Sequence, residues 1–442
     1  MKLRILTLIL AAVTFTSAFA ANYRGTVITD SLHNSAIYPG TMHEYKIYIP
    51  QEYDGTKPAC LYLGLDGILY NAPAVMDTLI ANGEMPVAIG VFIQPGVITD
   101  EQGNVIRYNR SNEFDRTDGR FASFIETEIL PAVKQHKTPD GLPILISDDR
   151  NDRAISGASS GGIASFNVAW FRPDLFSRVY TTCGTYVAMR GGNELQALVR
   201  KTVPQPIRFF IHDGSNDVWN PIFGHWYEYN LLMASALEFA GYDMKTKWDD
   251  GNHSIKNGSR VFPEAMRYLW KDYPKRIEAG ESKNNMLTQI LVKGEQWTET
   301  DVMPYIAGKT AVYPDGTHMA KPENNSDWLL NCTIDPNGAP VNEQQFYWLH
   351  NPLHQYNDIM GMCFDTLGNL YVATAIGIQV CDHNGRVRAI VPYPTHKKVD
   401  AFAFEGNYLY VSSQGKIYRM KLNATAHTPG AAPIQVKSQG QG

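Results

Sequence analysis

The stretch Arg153-Ala154-Ile155-Ser156-Gly157-Ala158-Ser159-Ser160-Gly161-Gly162 constrains this chain more than any other. It predicts the end of a strand, a tight turn of small residues and the start of a helix. A serine stands third in the Gly-x-Ser-x-Gly frame of that turn, where such a corner lifts its hydroxyl above a sheet and beside backbone N–H groups. Small-residue turns are common, and a Gly-rich corner that merely packs a helix on a strand gives the same local sequence. Context separates the two. A strand-like run precedes the turn and an apolar run, residues 163–171, follows it. Ser156 and Ser160 are rivals by type, but only Ser159 is third in the frame, so Ser159 is the candidate nucleophile.

The first twenty residues read as a targeting segment. Lys2 and Arg4 supply positive charge, residues 5–12 an apolar stretch, and Ala18-Phe19-Ala20 a small-residue cleavage site. That stretch is too short to span a bilayer, and no later run reaches the necessary length. The expectation is a soluble, exported protein, periplasmic or extracellular, that begins near Ala21. A net charge of −5 leaves no basic footprint for nucleic acid or an anionic membrane. The five cysteines, Cys60, Cys183, Cys332, Cys363 and Cys381, are too few and too far apart for a zinc motif or a disulfide framework. Six Asn-x-Ser/Thr matches, one of them Asn252-His253-Ser254, are treated as chance.

Between residues 45 and 270, β-rich runs alternate with longer amphipathic ones. Residues 44–50, 59–65, 87–93, 153–156, 207–211 and 244–248 read as strands; residues 75–82, 121–134, 163–171 and 226–239 read as helices. This alternation predicts an α/β fold with a mostly parallel sheet covered on both faces. Residues 276–286 are polar and read as a linker. Residues 287–425 show no helical pattern, only short β runs between Gly, Asn and Asp turns, as in antiparallel propeller blades. Their length allows about three blades of ~40–45 residues, too few to close a ring. Residues 426–442 read as a loose tail. The domain expectation is therefore a catalytic α/β unit over 21–275 and a β module after it.

A serine hydroxyl needs a neighbouring imidazole to take its proton. In α/β-hydrolases the chain order is Ser, then Asp or Glu, then His. His253 stands in a loop after the strand-like residues 244–248, the expected place for the base. His212 lies inside a strand run and reads as a packed residue, and His225 opens a helix. The acid is sought between Ser159 and His253, where His212-Asp213-Gly214-Ser215-Asn216-Asp217 offers Asp213 and Asp217. Spacing favours Asp217, further into the loop, although either aspartate also suits a plain turn. The expected oxyanion donors are the amides of Ser160 and, after an early strand, Gly67. Asp66 and Arg110, the latter in the polar loop 109–115, are candidate substrate-binding residues. No cofactor or metal ligand set is read from the sequence.

These residues resemble a known group. Tyr38-Pro-Gly-Thr41, Glu44-Tyr45, Asp66-Gly67, Asn109-Arg-Ser-Asn-Glu-Phe-Asp115, Ile155-Ser-Gly-Ala-Ser-Ser-Gly-Gly-Ile163, Gly251-Asn-His-Ser254 and Phe262-Pro-Glu-Ala-Met-Arg-Tyr-Leu-Trp270 are similar to the esterases that include enterochelin esterases and the feruloyl and acetyl-xylan carbohydrate esterases. The resemblance implies an α/β-hydrolase fold with Ser159, Asp217 and His253 as a triad, the acid in a Gly-x-x-Asp setting met by Gly214 to Asp217. It implies an acylated carbohydrate, with feruloyl or acetyl groups, as the substrate. The carboxyl-terminal part is similar to the gluconolactonase and senescence-marker-protein propellers, through Asp365-Thr-Leu-Gly-Asn-Leu-Tyr-Val-Ala-Thr374, Gly377-Ile-Gln-Val380, Gly385-Arg-Val387 and Leu409-Tyr-Val411. It covers only a propeller's last portion, and the metal-binding set of complete members has no counterpart here. The rival expectations are a siderophore esterase, a metal-dependent sugar lactonase and a carbohydrate-binding protein without activity.

Overall fold

The computed structural model describes residues 23–352 and 358–436. The expected targeting segment, and residues 437–442 of the expected tail, lie outside the described residues. The main sheet has ten strands. In chain order they are β1 (Thr26–His33), β2 (Met42–Ile49), β3 (Cys60–Leu65), β4 (Ala88–Ile93), β5 (Val97–Thr99), β6 (Val105–Tyr108), β7 (Arg153–Ala158), β8 (Arg178–Thr182) and β9 (Arg208–Asn216). A small hairpin, β10 (Trp219–Asn220) with β11 (Gly224–His225), precedes the last strand, β12 (Asp243–Asn252).

The strand order is β12-β9-β8-β7-β3-β4-β2-β5-β6, with β1 paired to β2. Pairs from β12 to β4 are parallel, and β2 and its neighbours add an antiparallel flank. The chain goes from β3 outward to β4 and later returns to place β7 on the other side of β3. Connections leaving β3 and β7 therefore diverge, and a crevice opens at their carboxyl ends, where open α/β sheets place their sites. Ser159 follows β7 and Asp66 follows β3. The topology alone sets these two turns side by side.

The helices are α1 (Ala72–Ala81), α2 (Arg110–Phe114), α3 (Arg120–Phe124), α4 (Leu130–Lys134), α5 (Ser160–Phe171), α6 (Leu195–Lys201), α7 (Trp226–Ala240) and α8 (Ile255–Trp270). A π-helical turn, Ile125–Ile129, joins α3 to α4, so the expected helix over 121–134 is continuous but locally widened. Alternate side chains of the central strands enter opposite cores. Leu61, Leu63, Ile155, Val179, Phe209 and Ile211 meet α5, α6 and α7, whereas Tyr62, Ala154, Tyr180 and Phe210 meet α1 and α8. Each large apolar side chain so buried contributes about 1.5–3 kcal/mol. The result is a three-layer α/β/α arrangement.

After residue 297 three four-stranded antiparallel sheets follow. The first comprises residues 311–348, the second 361–391, and the third closes strands 401–421 with the earlier Thr298–Thr300. They match the expected antiparallel β architecture of this part of the chain. Two features differ from the sequence reading. Asn284 caps a short helix, α9 (Asn285–Ile290), by accepting the N–H groups of Met286 and Leu287; six residues are too few to show a period. The polar segment before it is fixed to the α/β unit, the Lys283 amide bonding the Phe239 carbonyl at 2.9 Å and Arg276 pairing with Asp149. The β sheets pack on the α6 side, where Thr202 bridges Ile390 and Lys201 lies 2.8 Å from His350. Residues 426–436 lie along these sheets, through bonds from His427 to Phe364 and from Ile434 to Pro314.

Candidate active site

Ser159 sits between β7 and α5 with φ 56° and ψ −121°, a conformation that costs a non-glycine residue about 1–3 kcal/mol. Surrounding bonds hold it there: its N–H donates to the Thr182 carbonyl, and its carbonyl accepts from Thr185, each at 3.1 Å. Gly157 is required by close approach, since a Cβ at that position falls 2.1 Å from the Gly161 carbonyl oxygen. The small residues of the frame thus let the chain reverse within one turn.

The Ser159 hydroxyl lies 2.9 Å from Nε2 of His253, and Nδ1 of His253 lies 2.6 Å from Oδ1 of Asp217. A second contact, 3.3 Å to the Thr185 hydroxyl, links Ser159 to Trp226, whose indole N–H donates to Thr185. His253 is one-quarter exposed, while the Asp217 side chain is fully buried. The two loops meet because β9 and β12 pair in parallel, Trp248 opposite Asp213 and Asn252 opposite Asn216, with a register shift between Asp249 and Asn252. The strands come so close that a Cβ on Gly214 falls 2.2 Å from the Gly251 carbonyl oxygen. Replacing Gly214 with alanine is therefore expected to destabilise the fold by about 1–3 kcal/mol. It moves the Asp217 and His253 loops apart as well, and lowers kcat by about 10²-fold. Thermal melting and steady-state rates check both effects.

Burial opposes charge on Asp217, but hydrogen bonds from His253 and Asp213 outweigh it and hold this carboxyl below its usual range. Asp213, itself buried, bonds the Gly214 N–H at 2.8 Å and lies against Asp217 rather than His253. His212 is buried and spends both ring nitrogens, Nδ1 on Thr182 at 2.6 Å and Nε2 on Asp249 at 2.9 Å. Asp249 in turn accepts from Gly251, Asn257 and Arg260. This His–Asp pair braces the loop that carries His253. His225 precedes α7, and Ser156 is buried against Tyr62.

Ser160 opens α5, and its N–H belongs to the first helical turn, where no preceding carbonyl can take it. Gly67 corrects the sequence expectation. Its N–H donates to the Ile93 carbonyl at 3.0 Å, where Asp66, at φ 64°, turns the chain back on the end of β4 after the last β3–β4 pair, Leu65–Ile93. That amide is spent. Asp66 and Arg110 meet in a two-pronged pair at 2.6 and 2.8 Å, and Arg110 also reaches the Ala158 carbonyl at 3.4 Å. They brace the floor of the serine turn. Sequence reading missed three large apolar side chains left exposed in the segments that carry site residues: Trp219 is 66% exposed, Ile222 78% and Tyr108 77%. Trp219 lies two residues after Asp217, and Tyr108 two before Arg110.

Among the described residues, two sets of His, Cys, Asp or Glu side chains bring donor atoms within 4.8 Å of one another, Cys183 with Asp217 and His253, and Glu126 with Asp174 and His396. In the first, Asp217 and His253 are bonded to each other and burial pushes the Cys183 thiol up. In the second, Arg172 already bonds both carboxylates. A cavity of about 610 Å³, lined by Tyr53, Lys57, Ile80, Trp270 and Tyr273, lies at the amino ends of β3 and β4, remote from Ser159. All five cysteines are buried and free.

A mostly parallel sheet flanked by helices, with a serine turn at its topological switch point, makes this an α/β-hydrolase. Within that class, residues 38–322 match the Esterase family model, described as "Putative esterase". The chain belongs to that family, and the match runs past residue 275 into the first β sheet that follows. No curated protein matches the chain. Among solved structures it is similar to a ferulic acid esterase, 18% identical with a TM-score of 0.42, over 56% of this chain and 98% of that one. It is similar to the enterobactin esterase of Shigella flexneri, 18% identical with a TM-score of 0.43, over 57% of this chain. The chain spans only 59% of that enzyme's length. The feruloyl esterase module of Clostridium thermocellum, solved with sinapinate, is 14% identical with a TM-score of 0.40, over 58% of this chain and 93% of the module.

Proposed function

We propose that the protein is a serine ester hydrolase in which Ser159 attacks the ester carbonyl, His253 carries the proton and Asp217 orients His253. The observation that carries this reading is the unbroken line from the Ser159 hydroxyl through both His253 nitrogens to Asp217. With Nδ1–H donated to Asp217, Nε2 is the acceptor for the Ser159 proton. The imidazolium formed on attack is stabilised by the buried carboxylate and then protonates the leaving alcohol. The Ser160 amide faces the developing oxyanion. Water enters by the same route, His253 again taking its proton, and frees the acid.

The substrate proposed is a carbohydrate bearing an acyl group, feruloyl or acetyl. Exposed Trp219 and Ile222, on the hairpin directly after Asp217, and Tyr108, two residues before Arg110, favour an aromatic acyl group, which exposed apolar side chains cover better than they cover acetyl. Trp219→Ala is expected to raise KM for methyl ferulate about tenfold and leave that for 4-nitrophenyl acetate nearly unchanged. Equal effects on the two esters reject the aromatic preference. The amino-terminal charged and apolar segment supports export, and amino-terminal sequencing of the released protein is expected to begin at Ala21. No described helix is long and apolar enough to cross a membrane.

A further inference from the structure

We propose that Asp213 is a positioning residue, a neutral carboxylic acid whose proton is donated to Asp217 and fixes that carboxylate behind His253. The proposal rests on the triad reading above for its catalytic consequence, but the proton itself follows from the two aspartates. Each has one oxygen accounted for. Oδ1 of Asp213 accepts from the Gly214 amide, and Oδ1 of Asp217 accepts from His253 and from the Val218 amide. The other oxygens, Oδ2 of Asp213 and Oδ2 of Asp217, are buried and, apart from each other's carboxyl, meet no hydrogen-bond donor among the described residues. The two carboxyls nonetheless lie within hydrogen-bonding reach of each other.

Ionised carboxylates only accept, so two of them side by side leave both orphaned oxygens unsatisfied and two like charges out of water. One proton between them repairs both defects. Its residence follows from the neighbours. Asp217 has an imidazole and an amide to stabilise its charge, whereas Asp213 has one amide and the negative field of Asp217 and of Asp249 on β12. The remaining titratable neighbours are Cys183, neutral because burial pushes its thiol up, and His212, which is turned to Asp249. Burial first, and then Asp217, push the Asp213 carboxyl up to about 9. Thus Asp213 holds its proton at neutral pH, and Asp217 is pinned at both oxygens.

Two measurements test this. The infrared difference between the wild-type protein and Asp213→Asn at pH 7 is expected to show a protonated-carboxyl band in the wild type, shifted in heavy water. Its absence overturns the proposal. The pH profile of 4-nitrophenyl acetate hydrolysis reads the consequence. Wild-type kcat is expected to fall above about pH 9, when the pair takes its second negative charge. Asp213→Asn, whose amide always donates, keeps activity at pH 7 and lacks that fall. Asp213→Leu, which leaves Asp217 Oδ2 unbonded, loses about 10–100-fold in kcat with little change in KM. An alkaline fall unchanged in Asp213→Asn, or a loss in Asp213→Asn equal to that in Asp213→Leu, overturns the proposal. If Ser159→Ala still hydrolyses esters, the triad reading fails while the infrared band continues to decide the proton.

Discussion

Ester hydrolysis by Ser159→Ala is expected to fall by about 10⁴–10⁶-fold, with the fold intact. The hydroxyl is the group in this turn that faces a ring nitrogen at 2.9 Å, and removing it leaves His253 with no proton to take. The backbone conformation at Ser159 is kept by its bonds to Thr182 and Thr185 rather than by its side chain. Melting temperature is accordingly expected to change little. A His253→Ala change costs a similar factor, and the double variant no more than either single one, because the two residues act as one unit. Additive losses contradict that unit.

Asp217→Asn is expected to lower kcat by about 10³–10⁴-fold with little effect on KM. In the proposed triad the carboxylate, 2.6 Å from Nδ1, accepts the proton there and so leaves Nε2 as an acceptor toward Ser159. An amide in its place is able to donate to Nδ1 instead, which puts the proton on Nε2 and turns a donor toward the serine. Buried beside Asp213, the amide also meets a carboxyl group that no longer has an anion to donate to. The effect is therefore on proton transfer rather than on binding, and the steady-state split between kcat and KM checks it. A loss confined to KM contradicts the orientation role.

Much of this arrangement is legible in the sequence because its signals are local. The Gly-x-Ser-x-Gly frame needs only neighbours in the chain, and so do the apolar runs that become β3, β4, β7 and β9. His253 and Asp217 are legible from order, each in a loop after a strand. What escaped was set by tertiary pairing. Gly67 reads as a free turn amide, but the turn at Asp66 folds it onto the Ile93 carbonyl at the end of β4. Asp213 reads as a turn residue, and only the folded turn after it, closed by the Asp217 N–H on the Gly214 carbonyl, shows that its carboxyl abuts Asp217. Strands β1, β5 and β6 are short or half-exposed and owe their form to pairing, β1 and β5 with β2 and β6 with β5, so no strong alternation marks them. Helix α6 is seven residues long, too short for periodicity. Exposed Trp219 and Ile222 sit on a hairpin of two-residue strands that no propensity predicts.

Reaction of the folded protein with a fluorophosphonate, followed by peptide mass mapping, tests the central claim most directly. The probe needs a serine whose proton is taken at the moment of attack, which is the chemistry assigned to Ser159. Stoichiometric phosphonylation of Ser159, abolished in His253→Ala and accompanied by loss of esterase activity, is the result expected. An unlabelled Ser159 in a protein that still hydrolyses esters contradicts the account.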